Sequence, residues 1–169
     1  NAFQEPWNIK RVEENEVCLT LQSEGPNRFR YSAQLRYKLE EGILSMDLDV
    51  INQADETLPY GIGFHPWLAR EEDSQLQFNA IGCWLEDSRH LPTEHVVPGS
   101  GSTSDFRESN GFPHGLLNNA YTGWDGIAEL MRPQHGLKVH VKAADPLRCL
   151  QIYSPSVDAD FVCIEPVNH

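Results

Sequence analysis

Alternation of apolar and polar residues constrains this chain more than any other feature. Val17, Leu19 and Leu21 alternate with Cys18, Thr20 and Gln22. Tyr31, Ala33, Leu35, Tyr37 and Leu39 alternate with Ser32, Gln34, Arg36 and Lys38, and Leu44, Met46, Leu48 and Val50 with Ser45, Asp47 and Asp49. Successive side chains of a strand point to opposite faces, so each run predicts a strand with one face buried. Glu40-Glu41-Gly42, between the second and third runs, predicts a hairpin. Further strands are expected at 75–78, 82–85, 127–131, 137–143, 149–153 and 161–164, with a turn at Pro133-Gln134-His135-Gly136. No stretch carries a helical stripe, and eleven Pro and twelve Gly interrupt what remains. The expected fold class is therefore all-β, a sandwich of mainly antiparallel sheets. Residues 97–110 read as a polar loop within it rather than a linker.

Composition narrows the function classes. The 169 residues carry a formal charge of −12, which disfavours nucleic acid and anionic membrane surfaces as partners. No apolar run approaches the ~20 residues of a spanning helix, and the first residues, Asn1-Ala2-Phe3-Gln4-Glu5-Pro6, do not resemble a signal peptide. Cys18, Cys83, Cys149 and Cys163 are far apart and sit in strand-like stretches, so they read as buried free thiols rather than zinc ligands. The expected location is the cytoplasm, with no metal and no cofactor.

Three segments carry residues suited to chemistry. In Gly61-Ile62-Gly63-Phe64-His65-Pro66-Trp67, two glycines and a proline frame one imidazole beside an indole. Histidine titrates near neutrality and suits proton transfer; a plain loop or core histidine is the alternative. In Phe161-Val162-Cys163-Ile164-Glu165-Pro166, a carboxylate sits among apolar strand neighbours. Partial desolvation would raise its proton affinity and make Glu165 a candidate general base, against a strand-end glutamate that simply reaches water. In Asn118-Asn119-Ala120-Tyr121-Thr122-Gly123-Trp124-Asp125-Gly126, amides, a carboxylate and aromatic rings combine as in polyol recognition; an Asn/Asp-rich turn is equally open. The chain has no nucleophile elbow, P-loop or dinucleotide fingerprint.

In chain order these segments resemble the aldose 1-epimerase (galactose mutarotase-like) family. Asn52 to Pro59 and Gly63-Phe64-His65-Pro66-Trp67 resemble its N-x-x-x-x-x-(M/L)-P and G-x-H-P-(Y/W) motifs. Leu91-Pro92-Thr93 through Asp105-Phe106, Leu117 to Gly126, and Ile164-Glu165-Pro166 come next in the same order. The resemblance implies a cofactor-free mutarotase acting on a small-molecule sugar. In it Glu165 is the general base at the anomeric hydroxyl and His65 the general acid at the ring oxygen, with Asn118, Trp67, Trp124 and Asp125 as sugar contacts.

The resemblance further implies that residues 1–169 form a single β-sandwich domain that is part of a longer family domain. The opening run resembles the stretch directly after a His-Gly pair in the family, so the family's preceding Arg and His sugar contacts would lie outside it. Asn118 stands where the family commonly has an Asp. A sugar-binding member without turnover and a hexose-phosphate epimerase are the two other implied activities. The latter needs cations near His65, and only Arg70 is close in sequence.

Overall fold

In the computed structural model, residues 2–24, 28–99 and 102–169 are described. Asn1 of the opening run and residues 100–101 of the expected polar loop lie outside them. The sequence reading treats the chain as one domain; its packing divides it into two compact units, Asn1–Tyr60 and Gly61–His169.

The first unit is a four-stranded antiparallel sheet in chain order: β1 (Asn8–Val12), β2 (Glu16–Ser23), β3 (Tyr31–Glu40) and β4 (Ile43–Asn52). The three alternating runs become β2, β3 and β4. Between β3 and β4, Glu41 and Gly42 both have positive φ (50° and 79°). This is the two-residue turn whose twist matches that of the flanking strands. Leu21, Tyr31 and Ala33 form a small buried cluster, with Trp7, Leu48, Val50 and Tyr60 packed on it. Farther along the same hairpin, Leu39, Ile43 and Leu44 are exposed. β1 shows no alternation in its residues because all five are exposed and its register with β2 shifts between Ile9 and Arg11.

The second unit is a sandwich. Its strands are β5 (Trp67–Ala69), β6 (Gln75–Phe78), β7 (Gly82–Glu86), β8 (Pro92–Val96), β9 (Asn110–Gly111), β10 (Leu117–Thr122), β11 (Ile127–Arg132), β12 (Leu137–Lys142), β13 (Cys149–Ser154) and β14 (Phe161–Val167). They form a six-stranded sheet, β5-β14-β13-β10-β7-β8, and a four-stranded sheet, β12-β11-β6-β9. Every pairing is antiparallel. The larger sheet contributes Cys83, Tyr121, Leu150, Ile152, Val162 and Ile164 to the core, and the smaller one Leu76, Phe78, Ala128 and Leu130. Fully burying such side chains stabilises by roughly 1.5–3 kcal/mol each. The expected polar loop also supplies a core residue: Phe106 is buried, with its ring 5.4 Å from that of Phe78.

Because strand side chains alternate, every strand that sends Leu, Ile or Val inward sends its other residues to the opposite face. On β14 these are Phe161, Cys163 and Glu165; on β13, Cys149, Gln151 and Tyr153; on β10, Asn118, Ala120 and Thr122; on β7, Trp84 and Glu86. The candidate site is built on this face.

Candidate active site

His65 lies on no strand, yet the backbone around it is laced to β14. Gly63 bridges Val167, the Phe64 N–H donates to the Pro166 carbonyl at 3.0 Å, and the Ile164 N–H to the Pro66 carbonyl at 3.4 Å. Gly63 permits this approach, since a Cβ there would meet Val167 Cγ1 at 2.5 Å and the Pro166 carbonyl at 2.8 Å. The result joins two residues a hundred positions apart in sequence: His65 Nε2 lies 3.3 Å from Glu165 Oε1. The two side chains differ in access, His65 being 41% exposed and Glu165 only 12%. Burial raises the pKa of Glu165 because it penalises the charged form, while adjacent His65 pulls the other way.

A polar row continues across the sheet. Gln151 stands opposite Glu165 in the β13–β14 register, and its Nε2 donates to Asn118 Oδ1 at 2.7 Å. Asn118 Nδ2 donates to Glu86 Oε2 at 2.6 Å, and Glu86 Oε1 lies 3.0 Å from His90 Nδ1. Trp84, Glu86, His90, Asn118 and Gln151 line an open depression of about 390 Å³. At the other side of the acid–base pair, the Trp67 ring stacks on Phe161 at 4.3 Å and lies 5.9 Å from the His65 ring. Trp67 is 61% exposed and available to a ligand.

Four of the six expected site residues thus share this face: His65, Glu165, Asn118 and Trp67. The other two do not. Trp124 is a core residue, 1% exposed, with its indole N–H donating to the Ile127 carbonyl at 2.8 Å. Its ring packs between the sheets, where no sugar can stack. Asp125 holds the turn after β10: its carboxylate accepts from the Ile127 N–H at 3.0 Å and from Asn79 Nδ2 at 3.2 Å. The segment 118–126 thus runs from the open face at Asn118 into the core at Trp124 and a turn at Asp125.

Arg70 is corrected as well. It is buried, donating to Ser154 Oγ at 2.5 Å and to the carbonyls of Ser156 and Val157, with its guanidinium 4.5 Å from the centre of the Phe112 ring. It anchors the segment before β14, so the cation closest to His65 in sequence is engaged with the protein's own carbonyls and hydroxyl.

Gln151, Glu86, His90 and Trp84 were not anticipated. Gln151 is the polar member of the alternating run Cys149-Leu150-Gln151-Ile152-Tyr153, a signal that acquires meaning only once the register sets it beside Glu165. The thiols of Cys18, Cys83, Cys149 and Cys163 are free, and all but partly covered Cys149 are buried. Cys163 shares the site face, and burial pushes its pKa up to about 12. Among the described residues, the ligating atoms of His65, Cys163 and Glu165 lie within 4.8 Å of one another and are the set able to hold a metal ion.

The chain matches the family model for aldose 1-epimerase over residues 1–169. It is 29% identical to the uncharacterised protein YphB of Escherichia coli (strain K12), an alignment covering 96% of this chain and 58% of that protein. The crystal structure of a candidate aldose 1-epimerase from Escherichia coli K12 superposes with a TM-score of 0.90 at 29% identity, over 98% of this chain and 58% of the other. A galactose mutarotase-like protein from Lactobacillus casei ATCC 334 shares the fold, with a TM-score of 0.79 at 20% identity over 95% and 60% of the two chains. The chain thus spans well under two thirds of the length of these relatives. No helix among the described residues is long and apolar enough to cross a membrane.

Proposed function

The chain belongs to the aldose 1-epimerase family, and from that premise we propose that it interconverts the α and β anomers of a free hexose by general acid–base ring opening. The observation that carries this reading is the contact of His65 Nε2 with Glu165 Oε1 at 3.3 Å on an open, polar face. Glu165 takes the proton of the anomeric hydroxyl, and protonated His65 delivers one to the ring oxygen. The bond from C1 to the ring oxygen breaks as the C1 carbonyl forms. Rotation about C1–C2 and reclosure with the proton transfers reversed give the other anomer. The cycle returns both residues to their starting states and uses no oxidant, reductant or cofactor.

The burial that raises the proton affinity of Glu165 supports its role as base, because a stronger base abstracts a weakly acidic hydroxyl proton more readily. Exposed Trp67 beside the pair supports stacking of an apolar sugar face. The amides of Asn118 and Gln151 on the same face support hydrogen bonding of ring hydroxyls. A small-molecule sugar as partner and a cytoplasmic location complete the proposal, the latter supported by four free thiols.

Polarimetry or one-dimensional NMR of freshly dissolved α-glucose and α-galactose tests it. The protein should accelerate anomerisation, and Glu165→Gln or His65→Ala should each remove about 10²–10⁴-fold of that acceleration. Unchanged rates in both variants would reject the assignment. Asn118 favours a second reading, a sugar-binding member without turnover, because an amide bonds hydroxyls without the charge of the Asp that the family commonly has there. Sugar binding without anomerisation would select it.

A further inference from the structure

We infer that Glu86 is a sugar-binding carboxylate, clamped by His90 and Asn118, that accepts hydrogen bonds from ring hydroxyls remote from the anomeric carbon. The inference rests on the proposed function and extends it to the part of the substrate that does not react.

Three independent features of the backbone and side chains converge on this carboxylate. The β7–β8 register shifts between Trp84 and Glu86: Trp84 pairs with His95 but Glu86 with Pro92, so β8 carries one extra residue. Alternation along β7 sets Glu86 beside Trp84 on the depression side, opposite the extra residue of β8. His90 then adopts φ +61°, a left-handed conformation unusual for a residue with a side chain. The turn is held there by Asp87, which accepts the N–H groups of Arg89 and Leu91 on its Oδ1 and that of His90 on its carbonyl. This geometry delivers the imidazole to Glu86 Oε1, while the Asn118 amide holds Oε2. Non-glycine residues in sparsely populated backbone regions cluster where a side chain must be held for function.

The chemistry fits a polyol. A carboxylate has about four lone-pair positions; His90 and Asn118 occupy one on each oxygen, leaving one on each for the two hydroxyls of a vicinal diol. The Trp84 ring stands in the same depression and supplies an apolar face beside those acceptors. The volume, about 390 Å³, falls within the roughly 300–1,000 Å³ of small-molecule sites. Continuity with the acid–base pair runs through Gln151, the cross-strand neighbour of Glu165. Gln151 thus borders both the acid–base pair and the depression that Glu86 lines, and a sugar seated at Gln151 presents its remaining hydroxyls to that depression.

The test uses a 1,5-anhydrohexitol, a ring that lacks the anomeric hydroxyl and cannot open, alongside the free hexose. Glu86→Gln keeps the shape and removes the charge; losing charged hydrogen bonds should weaken binding of the anhydro sugar by about 10- to 100-fold, with KM for the hexose rising more than kcat falls. His90→Gly releases the clamp, so it should weaken binding to a smaller extent while the thermal midpoint holds or rises, because glycine accepts positive φ without strain. Anhydro-sugar affinity of Glu86→Gln within twofold of the parent overturns the inference, and if the parent still anomerises hexose the proposed function stands without it. A parent that binds but does not anomerise, with Glu86→Gln weakened, keeps the inference and rejects turnover. A parent that neither binds nor anomerises rejects both.

Discussion

The two units of this chain are built from the same kind of strand yet stabilised differently. In Asn1–Tyr60, each strand pairs with its neighbours in sequence, and three residues form the buried cluster among those described. In Gly61–His169, five of the eight strand pairings join strands that are not consecutive in sequence, and thirteen described residues form the core cluster. Local pairing needs only alternation and a turn; it leaves apolar residues such as Ile43 and Leu44 exposed. Long-range pairing buries far more surface and brings side chains from distant segments onto one face. The second arrangement brings His65 to within 3.3 Å of Glu165 from a hundred residues away.

The largest expected effect tests that contrast in the core. Trp124→Ala should destabilise the second unit by about 3–5 kcal/mol, the range for truncating a large buried aromatic, seen as a lowered midpoint in chemical denaturation. An effect below ~1 kcal/mol would mean that the indole is a surface residue after all, and would reopen its role in sugar stacking.

Gly63→Ala separates positioning from stability. The added Cβ meets the Pro166 carbonyl, so the strap carrying His65 must shift. Displacements near 1 Å can cost about 10²-fold in rate, and anomerisation should fall by that order with a much smaller change in midpoint. A parental rate would show that the lacing to β14 is not what aims His65.

In the first unit, Leu21→Ala should cost about 2 kcal/mol, the low end for a buried leucine, because its small cluster borders solvent and can collapse around the gap. A loss as large as that of Trp124→Ala would erase the distinction between the units.

The smallest effects are electrostatic and differ between the units. Glu71 accepts hydrogen bonds from Arg132 and lies 3.2 Å from His135 Nε2; the Arg132 bonds above all lower its pKa from 4.5 to about 2. A depressed carboxylate contributes stability that is complete above its unfolded value and is lost as pH falls through its folded one. Glu71→Gln should therefore flatten the acid limb of the stability curve between about pH 4.5 and 2. Glu165 has the opposite sign. Its raised pKa makes the folded state favour the protonated form, so its share of stability declines as pH rises through the folded value. In the first unit, Asp47→Asn removes an exposed pair with Arg36 and should leave the midpoint in place.

Much of the architecture was legible in the residues, for a physical reason. Period-two alternation reports a half-buried face, and it located β2, β3, β4, β6, β7, β11, β12, β13 and β14 to within a few residues. It missed β1 and β5, which lack a buried face or are too short to show a period, and β8, whose exposed residues carry none. It passed over β10 because Asn118 and Asn119 resemble turn residues. At the site, His65 and Glu165 stood out because each is a titratable group in an apolar or tightly framed setting. Trp124 and Asp125 misled because a polyol-binding motif and a strand-to-strand turn use the same residue types.

The sequence by itself thus determined the all-β class, the β3–β4 hairpin and the candidate pair His65 and Glu165, all of which depend on residues within a few positions of one another. Tertiary structure decided the rest. The order β5-β14-β13-β10-β7-β8 placed Gln151 beside Glu165 and Asn118 beside Glu86, the left-handed turn brought His90 to that carboxylate, and the core claimed Trp124. Alternation states which face a side chain occupies but not which strand lies beside it. Register, a balance of burial and hydrogen bonding over the whole sheet, settles that.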